Sequence, residues 1–302
     1  MRVFVAGASG AIGRPLIAEL IRQGHAVTGM TQSDRGAERL TAQGAAAVIA
    51  NAFDAASLES ALQRSNAEVV IDELTSLPKD PSEIQSYLPG DRRLRLEGGG
   101  NLRRAAQAWG VRRYLQQSSG FFLKAGIGLA DESVPMAVEA SPGVAVSAQM
   151  YGELEARALA SAPMESVLLR YGFFYGPGTW YYPGEAVAEQ VLRQQFPIIG
   201  EGQGVWSFVN IEDAARATVA SLTGDPGIYN IVDDDPLPVA RWLPKFAKFL
   251  GALPPAQISE QVAHENAGED AVYYGTKLRG ASNAKAKKAF GFQPRRLEWL
   301  GS

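Results

Sequence analysis

Short apolar segments of strand length alternate with segments of helical periodicity through the first two-thirds of the chain. In the first helical segment, Leu16, Ile17 and Leu20 fall on one stripe, as expected for a helix that packs against a sheet. Alternation of this kind predicts a parallel sheet with helices on both faces. The predicted strands cover residues 3–6, 26–30, 47–50 and 69–72, and the predicted helices cover residues 16–23, 36–43 and 57–64.

The middle of the chain continues the pattern with longer elements. A helix is predicted over residues 92–109, and a strand over 114–117 carries Ser118 and Ser119 at its carboxyl end. Residues 120–149 are rich in Gly, Pro and Ala without a clear period, which predicts a long loop over the site. The remaining predictions are a helix over 151–160 and a strand over 166–170. The chain is then expected to return to the same sheet through the segment 206–209, the helix 213–222 and the segment 228–232.

Composition and charge exclude some classes of function. The 302 residues are 46% hydrophobic, enough for a large core, and 29 Lys plus Arg against 32 Asp plus Glu give a net charge of −3. Proteins that bind the phosphate backbone usually carry a basic excess, so we expect no nucleic-acid partner. The chain has no Cys, and its only His residues are His25 and His264, so we expect no metal site.

The pattern carries no sign of a signal peptide or a membrane span. Apolar residues 3–12 are interrupted by Gly7 and Gly10 and run into Arg14, unlike the leucine-rich core of a signal peptide. No run of about eighteen apolar residues follows, so we expect no membrane partner. We therefore predict a cytoplasmic protein and leave a homodimer open.

A glycine-rich loop joins the first predicted strand to the first predicted helix. Glycines there allow a tight turn, close approach of the backbone to a pyrophosphate, and close packing of helix on strand. The N–H groups at the start of the helix then face the anion, helped by the helix dipole. The loop predicts a dinucleotide site that is formed by Gly7, Ser9, Gly10, Ala11, Ile12 and Gly13.

The loop and the alternation together predict an α/β fold of Rossmann type, with a doubly wound parallel sheet and a smaller, discontinuous C-terminal substrate lobe. We assign residues 1–171 to an NAD(P)-binding domain whose sheet is completed by about residues 205–232. Residues 172–302 are assigned to the substrate-binding region.

The residues after the second strand favour NADP as the cofactor, with NAD as the alternative. NAD sites usually place Asp or Glu about twenty residues after the glycines, but this strand ends at Thr31 without a carboxylate. Ser33 and Arg35 follow, and a nearby arginine accommodates a 2′-phosphate, unless these residues only solvate a turn. Asn51, which ends the third strand, has an amide suited to an adenine edge or to capping the next turn.

Further segments complete a recognisable set, namely residues 97–102, 118–119, Tyr151, 175–178, 208–215, 229–231 and 282–288. With the glycine loop, they resemble the extended and atypical short-chain dehydrogenase/reductase superfamily, of the NAD-dependent epimerase/dehydratase type. In that superfamily a Ser or Thr orients the carbonyl, a Tyr exchanges the proton, and a Lys four residues later lowers the Tyr pKa and holds the nicotinamide ribose. The resemblance assigns the first two roles to Ser119, or its neighbour Ser118, and to Tyr151. It also places Thr75 near that ribose.

The chain departs from the resemblance at two positions. The residue four after Tyr151 is Glu155 instead of lysine, and the asparagine of the family's helix is Arg95 here. Because residues i and i+4 share a helix face, a carboxylate at 155 is expected to raise the pKa of Tyr151. A protonated phenol still donates a proton to a carbonyl being reduced, so reduction is favoured over oxidation. Glu155 is also suited to bind ribose hydroxyls, or else is an ordinary helix-surface residue.

Aromatic residues near the strand ends indicate either a cleft for a bulky substrate or the packing of the small lobe. These aromatic residues are Phe121, Phe122, Tyr171, Phe173, Phe174, Tyr175, Trp180, Tyr181 and Tyr182.

The leading hypothesis is an NADP-dependent reductase of a ketone or conjugated carbonyl on a bulky, mostly apolar small molecule. The alternatives are a redox-neutral isomerase, epimerase or lyase with Glu155 as general base, and a non-catalytic NADP(H) sensor.

Overall fold

Strands and helices alternate through the first part of the computed structural model, which describes residues 1–301. The apolar stripe of the first helix faces the core, and the side chains of Ser33 and Asp54 cap the starts of the next two helices. The elements are β1 (Arg2–Ala6), α1 (Gly13–Arg22), β2 (Ala26–Thr31), α2 (Asp34–Ala42), β3 (Ala46–Ile49), α3 (Ala55–Ser65) and β4 (Val69–Asp72).

A long helical stretch follows β4 and contains a π-helical turn. It consists of α4 (Ile84–Arg93), the π-helical turn Leu94–Gly98 and α5 (Gly99–Trp109). After it come β5 (Arg113–Ser119), α6 (Pro142–Leu159) and β6 (Glu165–Tyr171). Because α6 begins at Pro142, the predicted start at Tyr151 is wrong, and the loop that follows β5 ends at residue 141.

The C-terminal part combines short strands with longer helices. Its elements are β7 (Phe173–Tyr175), α7 (Ala186–Leu192), β8 (Ile198–Ile199), β9 (Val205–Trp206), β10 (Phe208–Asn210), α8 (Ile211–Ala220), β11 (Gly227–Ile231), β12 (Leu237–Pro238), α9 (Val239–Leu250), β13 (Gln257–Ile258), α10 (Glu260–Thr276) and α11 (Ala284–Phe290).

The central sheet confirms the predicted Rossmann-type α/β fold. Its seven strands are all parallel and run in the order β11-β6-β5-β4-β1-β2-β3. The prediction that residues 206–209 return to this sheet is wrong, because β9 pairs with β12 and β10 pairs with β7. An apolar run predicts a strand but does not specify its partner. The division into residues 1–171 and 172–302 stays a prediction.

Four groups of buried side chains fill the interior. One packs α1 and α8 against one face of the sheet, and a second packs α3 and α5 against the other. A third fills the small lobe around Trp242 and Phe208, and a fourth joins α6 to the 120–141 loop around Tyr151. Tyr151 is therefore packed among side chains of this loop and of α10. Within residues 1–301, no helix combines the length and apolar character that crossing a membrane requires.

Candidate functional site

The glycine loop is so tightly folded that two of its positions exclude any side chain. A Cβ at Gly7, which has φ +78°, would lie 2.2 Å from the carbonyl oxygen of Glu73. A Cβ at Gly13 would lie 2.3 Å from the carbonyl oxygen of Gly7. The Gly10 N–H donates to the Gly7 carbonyl at 2.9 Å, and no side chain caps the helix start at Ile12. The Arg14 N–H donates to the Gly10 carbonyl at 3.3 Å, whereas the N–H groups of Ile12 and Gly13 have no partner within residues 1–301 and stay open to an anion.

A cleft of about 620 Å³ opens beside this loop, at the carboxyl ends of β1, β2 and β4. Its lining includes four of the predicted cofactor residues, Gly7, Ser9, Ser33 and Thr75. The strand order changes direction between β4 and β1, and ligands of open α/β sheets bind at such a switch point. The position and the exposed glycine backbone fit a dinucleotide.

Ser33 and the predicted cofactor residues that do not line the cleft have the following contacts and exposure. The Ser33 Oγ accepts a hydrogen bond from the Gly36 N–H at 3.2 Å, which caps α2, and the Asn51 Oδ1 accepts one from the Phe53 N–H at 3.0 Å. Ala11 is exposed and Ile12 is buried. Arg35 is exposed and makes no side-chain hydrogen bond or ion pair within residues 1–301. Its side chain lies at the start of α2, outside the lining of the cleft.

Sequence reasoning missed two residues on the far wall of the cleft. The Arg93 guanidinium lies 4.5 Å from the centre of the Phe53 ring, and both side chains line the cleft. Arg93 also pairs with Glu97 at 2.8 Å. Phe53 follows Asn51 at the end of β3, which is the one signal that pointed to it.

Ser118 and Glu155 form a buried network with Arg170. The Ser118 hydroxyl donates to the Glu155 carboxylate at 2.6 Å, and the Arg170 guanidinium donates to both Glu155 oxygens at 2.7 Å. Ser119 makes only a long contact, in which its Oγ accepts from the Phe121 N–H at 3.4 Å. The Ser118 proton is thus engaged within the protein, whereas the hydroxyl proton of Ser119 has no acceptor within residues 1–301.

Tyr151 is buried on α6 and has no hydrogen-bond partner for its hydroxyl within residues 1–301. The ring of Phe122 stacks on it, with 5.7 Å between the ring centres. Burial raises the pKa of Tyr151, Arg95 lowers it, and Asp91 raises it. The predicted rise in the pKa of Tyr151 is confirmed, but the predicted cause is wrong, because Glu155 forms an ion pair with Arg170.

Arg95 is the third feature that sequence reasoning missed, since it was noted only as a departure from a family pattern. Its side chain is buried and pairs with Asp91 at 2.7 Å, one helical turn earlier. The guanidinium carbon lies 5.3 Å from the centre of the Tyr151 ring. The spacing of Asp91 and Arg95 predicts such a pair. The fold was needed to bring the pair to Tyr151.

The predicted aromatic cluster divides between the site and the core. Phe121, Phe173 and Trp206 form a stacked column with 4.2 Å between successive ring centres. Tyr274, which was not predicted, packs edge-on against Phe122 at 6.4 Å. In contrast, Tyr171, Tyr175 and Tyr181 are buried in the core, and the Trp180 indole donates to the Pro78 carbonyl at 3.2 Å.

The acidic residues and histidines form no metal-binding group in the described part of the chain. The three consecutive aspartates at 233–235 instead take part in a turn and an ion pair. Asp234 pairs with Lys287, and the Asp233 carboxylate accepts the Asp235 N–H at 3.0 Å.

Comparisons with known proteins agree with this architecture. The family model described as the NAD dependent epimerase/dehydratase family matches residues 3–231. A "3-diazoavenalumate denitrifying reductase" from a Streptomyces species is 37% identical over 302 residues, which cover 99% of this chain and 98% of that protein.

Solved structures show the same fold at low identity. The UDP-glucose 4-epimerase of Thermus thermophilus, in complex with NAD, matches with a TM-score of 0.76 and 23% identity over 100% of this chain and 96% of that one. A dTDP-glucose 4,6-dehydratase of Bacillus anthracis, also in complex with NAD, has a TM-score of 0.75 and 15% identity over 100% and 94% of the two chains. The chain belongs to the NAD-dependent epimerase/dehydratase family and is an NAD(P)-dependent enzyme of the short-chain dehydrogenase/reductase type.

Proposed function

We propose that this protein is an NADP-dependent reductase of a ketone or conjugated carbonyl on a bulky, mostly apolar and preferably aromatic small molecule. The observation that carries the proposal is the unpartnered hydroxyl of Tyr151 next to stacked aromatic rings. Phe121 ends the column and is only partly buried, so the column can take a further flat ring at that end. The printed name of the Streptomyces relative supports a reductase.

The residues for a cofactor are those of the cleft. The glycine loop and the open start of α1 would hold the pyrophosphate, and Thr75 would lie along the nicotinamide half. Ser33 and Arg35, at the end of β2, would hold a 2′-phosphate. The bound reduced cofactor supplies the hydride.

The protein's own groups then handle the oxygen of the substrate. The Ser119 hydroxyl donates a hydrogen bond that orients the carbonyl. As the carbonyl carbon is reduced, its π electron pair moves to the oxygen, which takes the proton of the Tyr151 hydroxyl. Solvent restores that proton afterwards. Phe122 shields one face of the Tyr151 ring from water.

Glu155 argues against a redox-neutral epimerase that uses it as a general base. Both of its oxygens accept hydrogen bonds from Arg170, and one also accepts the Ser118 hydroxyl. A carboxylate held in this way is a poor acceptor for a substrate proton, so we assign Glu155 to support of the site.

A second candidate reaction is the reduction of an aromatic diazo compound. It is favoured by the relative whose printed name describes a denitrifying reductase of 3-diazoavenalumate and which matches 99% of this chain. The aromatic column suits that class of substrate as well. The two candidates differ in the group reduced and share the cofactor cleft.

The test uses purified protein, NADPH, and panels of aromatic ketones, enones and aryl diazo compounds. Consumption of NADPH with matched product identifies the substrate class, and Tyr151→Phe is expected to lower kcat about 100-fold or more on carbonyl substrates. Tyr87→Phe, at an exposed tyrosine of α4, is the matched control. Equal turnover by wild type and Tyr151→Phe would remove Tyr151 from the mechanism. Product without NADPH consumption would indicate an isomerase, and tight binding without turnover of any panel would support a sensor.

The preference for NADP has its own test. Arg35→Ala is expected to lower kcat/KM with NADPH about tenfold or more and to leave NADH almost unchanged, since only NADPH carries the 2′-phosphate. Arg39→Ala, at another exposed arginine of α2, is the control. An equal loss with both cofactors would assign Arg35 a different role.

A further inference from the structure

A buried arginine lies against Tyr151 and has no part in the reaction described above. Arg95 is 3% exposed, and its guanidinium carbon lies 5.3 Å from the centre of the Tyr151 ring. Burial of a cation costs free energy unless the cation is paired, so a buried arginine at this place requires a reason.

The guanidinium is held in one orientation by groups from two elements. Its Nε donates to the Asp91 carboxylate of α4 at 2.7 Å, and its Nη1 donates to the Gln117 side chain of β5 at 3.3 Å. The other Asp91 oxygen accepts the Ser76 N–H at 2.6 Å, which fixes the carboxylate in turn. Arg95 itself lies in the π-helical turn between α4 and α5. The charge is thus fixed in place and not free to swing into solvent.

The ionisable groups around Tyr151 leave Arg95 as the cation that faces it. Burial raises the pKa of Tyr151, Arg95 lowers it, and Asp91 raises it. Phe122, which stacks on the Tyr151 ring, is uncharged. Burial raises the pKa of Tyr274, which packs against Phe122. Glu155 is paired with Arg170.

Arg95 keeps its own charge at this buried position. Burial lowers the pKa of Arg95, but Tyr151 and Asp91 raise it by more, and Asp72 adds to them. The guanidinium is therefore a permanent positive charge next to a phenol that has no other cation.

We propose that Arg95, fixed by Asp91 and Gln117, is a positioning residue that supplies Tyr151 with a positive charge. In the family pattern a lysine four residues after the tyrosine supplies this charge, but here that position is Glu155. The charge stabilises the phenolate that forms when the hydroxyl gives up its proton, and so makes Tyr151 a better donor. The functional meaning rests on the proposed role of Tyr151. The ionisation itself is measurable without substrate or cofactor.

The experiment places 3,5-difluorotyrosine at position 151 by amber suppression and follows its ionisation by fluorine NMR. The fluorinated phenol is more acidic than tyrosine, so it titrates where the full chain stays folded, as circular dichroism on the same samples verifies. Arg95→Met is expected to raise the midpoint by about one pH unit or more. Arg95→Lys keeps the charge and is expected to return most of that shift. An unchanged midpoint in Arg95→Met, or equal shifts in both variants, would overturn the proposal.

Arg95→Gln provides a second arm if Arg95→Met does not fold, because it removes the charge and keeps a side chain that can hydrogen-bond to Asp91 and Gln117. The midpoint is expected to rise as in Arg95→Met. A midpoint that stays or falls would count against the proposal. Arg104→Met, at an exposed arginine of α5, is the control and should leave the midpoint unchanged. If Tyr151→Phe retains full activity, the proposed function fails, whereas this titration still decides the electrostatic role of Arg95.

Discussion

Two buried ion pairs flank Tyr151. In each pair the partner compensates for the free-energy cost of burying a charge. Glu155 pairs with Arg170 on the side of β6, and Asp91 pairs with Arg95 on the side of the π-helical turn. Arg170 also donates to the carbonyl oxygens of Glu132 and Val134, at 3.3 and 3.4 Å, in the 120–141 loop. The first pair therefore links α6, β6 and this loop, while the second faces the phenol.

Breaking the first pair is expected to destabilise the protein strongly. Arg170→Met leaves the Glu155 carboxylate buried without its partner, which typically costs about 3–5 kcal/mol of unfolding free energy. The double variant with Glu155→Met is expected to recover part of that loss, because no buried charge remains. Urea unfolding of both variants measures the effect.

The exposed pair between Glu189 and Arg193 at the end of α7 is the control, and Arg193→Met should cost about 1 kcal/mol or less. A loss of the same size for Arg170→Met and Arg193→Met would show that burial of the Glu155 pair is not what stabilises the site.

Glu73 is a second buried carboxyl with a consequence at the residue scale. Its Oε1 accepts the Tyr171 hydroxyl at 2.9 Å, and its Oε2 has no partner in the described part of the chain. Burial raises the pKa of Glu73 from 4.5 to about 8, and the neighbouring Asp72 adds to the rise. The folded protein therefore keeps a proton at neutral pH that the unfolded chain gives up.

Stability is accordingly expected to fall as pH rises through this window. Below pH 4.5 both states hold the proton and the contribution is complete; it is lost progressively up to a pH of about 8. The slope from this one group approaches about 1.4 kcal/mol per pH unit. Glu73→Gln should flatten the profile of unfolding free energy against pH, while Glu38→Gln, at an exposed carboxylate of α2, should not. Parallel profiles for wild type and Glu73→Gln would contradict the assignment.

Among the elements, the turn from β1 into α1 has the least tolerance for substitution. A Cβ at Gly13 would lie 2.3 Å from the Gly7 carbonyl oxygen and 2.5 Å from that of Ala8. Both obstacles are backbone atoms, so the loop itself must move to make room. Such a movement displaces Gly7, which lines the cleft, and the unpartnered N–H groups of Ile12 and Gly13.

Gly13→Ala is therefore expected to weaken NADPH binding at least tenfold, measured by calorimetry. Gly100→Ala in α5 is the matched control, since its Cβ would meet only the ends of the Arg104 and Arg157 side chains, at 3.5 and 3.8 Å. The control should bind NADPH as the wild type does. Unchanged binding by Gly13→Ala would mean that the loop does not hold the cofactor.

Elements differed in how far the sequence could predict them. The strands from β1 to β6 and the glycine loop were readable because each apolar run is bounded by turn residues. The start of α6 was not, since residues 142–150 are mostly small and carry no clear apolar stripe. Local patterns also cannot choose partners, which is why β9 and β10 were assigned to the wrong sheet and why Arg95 was not connected with Tyr151.

At the scale of the whole molecule, the 120–141 loop links the central sheet to the C-terminal segment between α10 and α11. The Ala130 N–H donates to the Gly280 carbonyl at 2.8 Å, and Arg279 donates to the Gly128 carbonyl at 2.8 Å. At its start, Phe121 stacks on Phe173, which lies in the small sheet formed by β7 and β10. A substrate between the lobes would meet side chains of both.

Phe173 is the residue at which this arrangement is best tested. It stacks between Phe121 and Trp206, so Phe173→Ala opens a gap in the column without touching the cofactor cleft. We expect KM for an aromatic substrate to rise about tenfold, a loss equivalent to about 1.4 kcal/mol, with the Kd for NADPH unchanged. Phe249→Ala, at a stacked ring of the small lobe on α9, is the control for a general loss of packing. If both variants raise KM equally, the column stabilises the lobe and does not bind the substrate. If only Phe173→Ala does, the contact between the lobes is where the substrate ring is held.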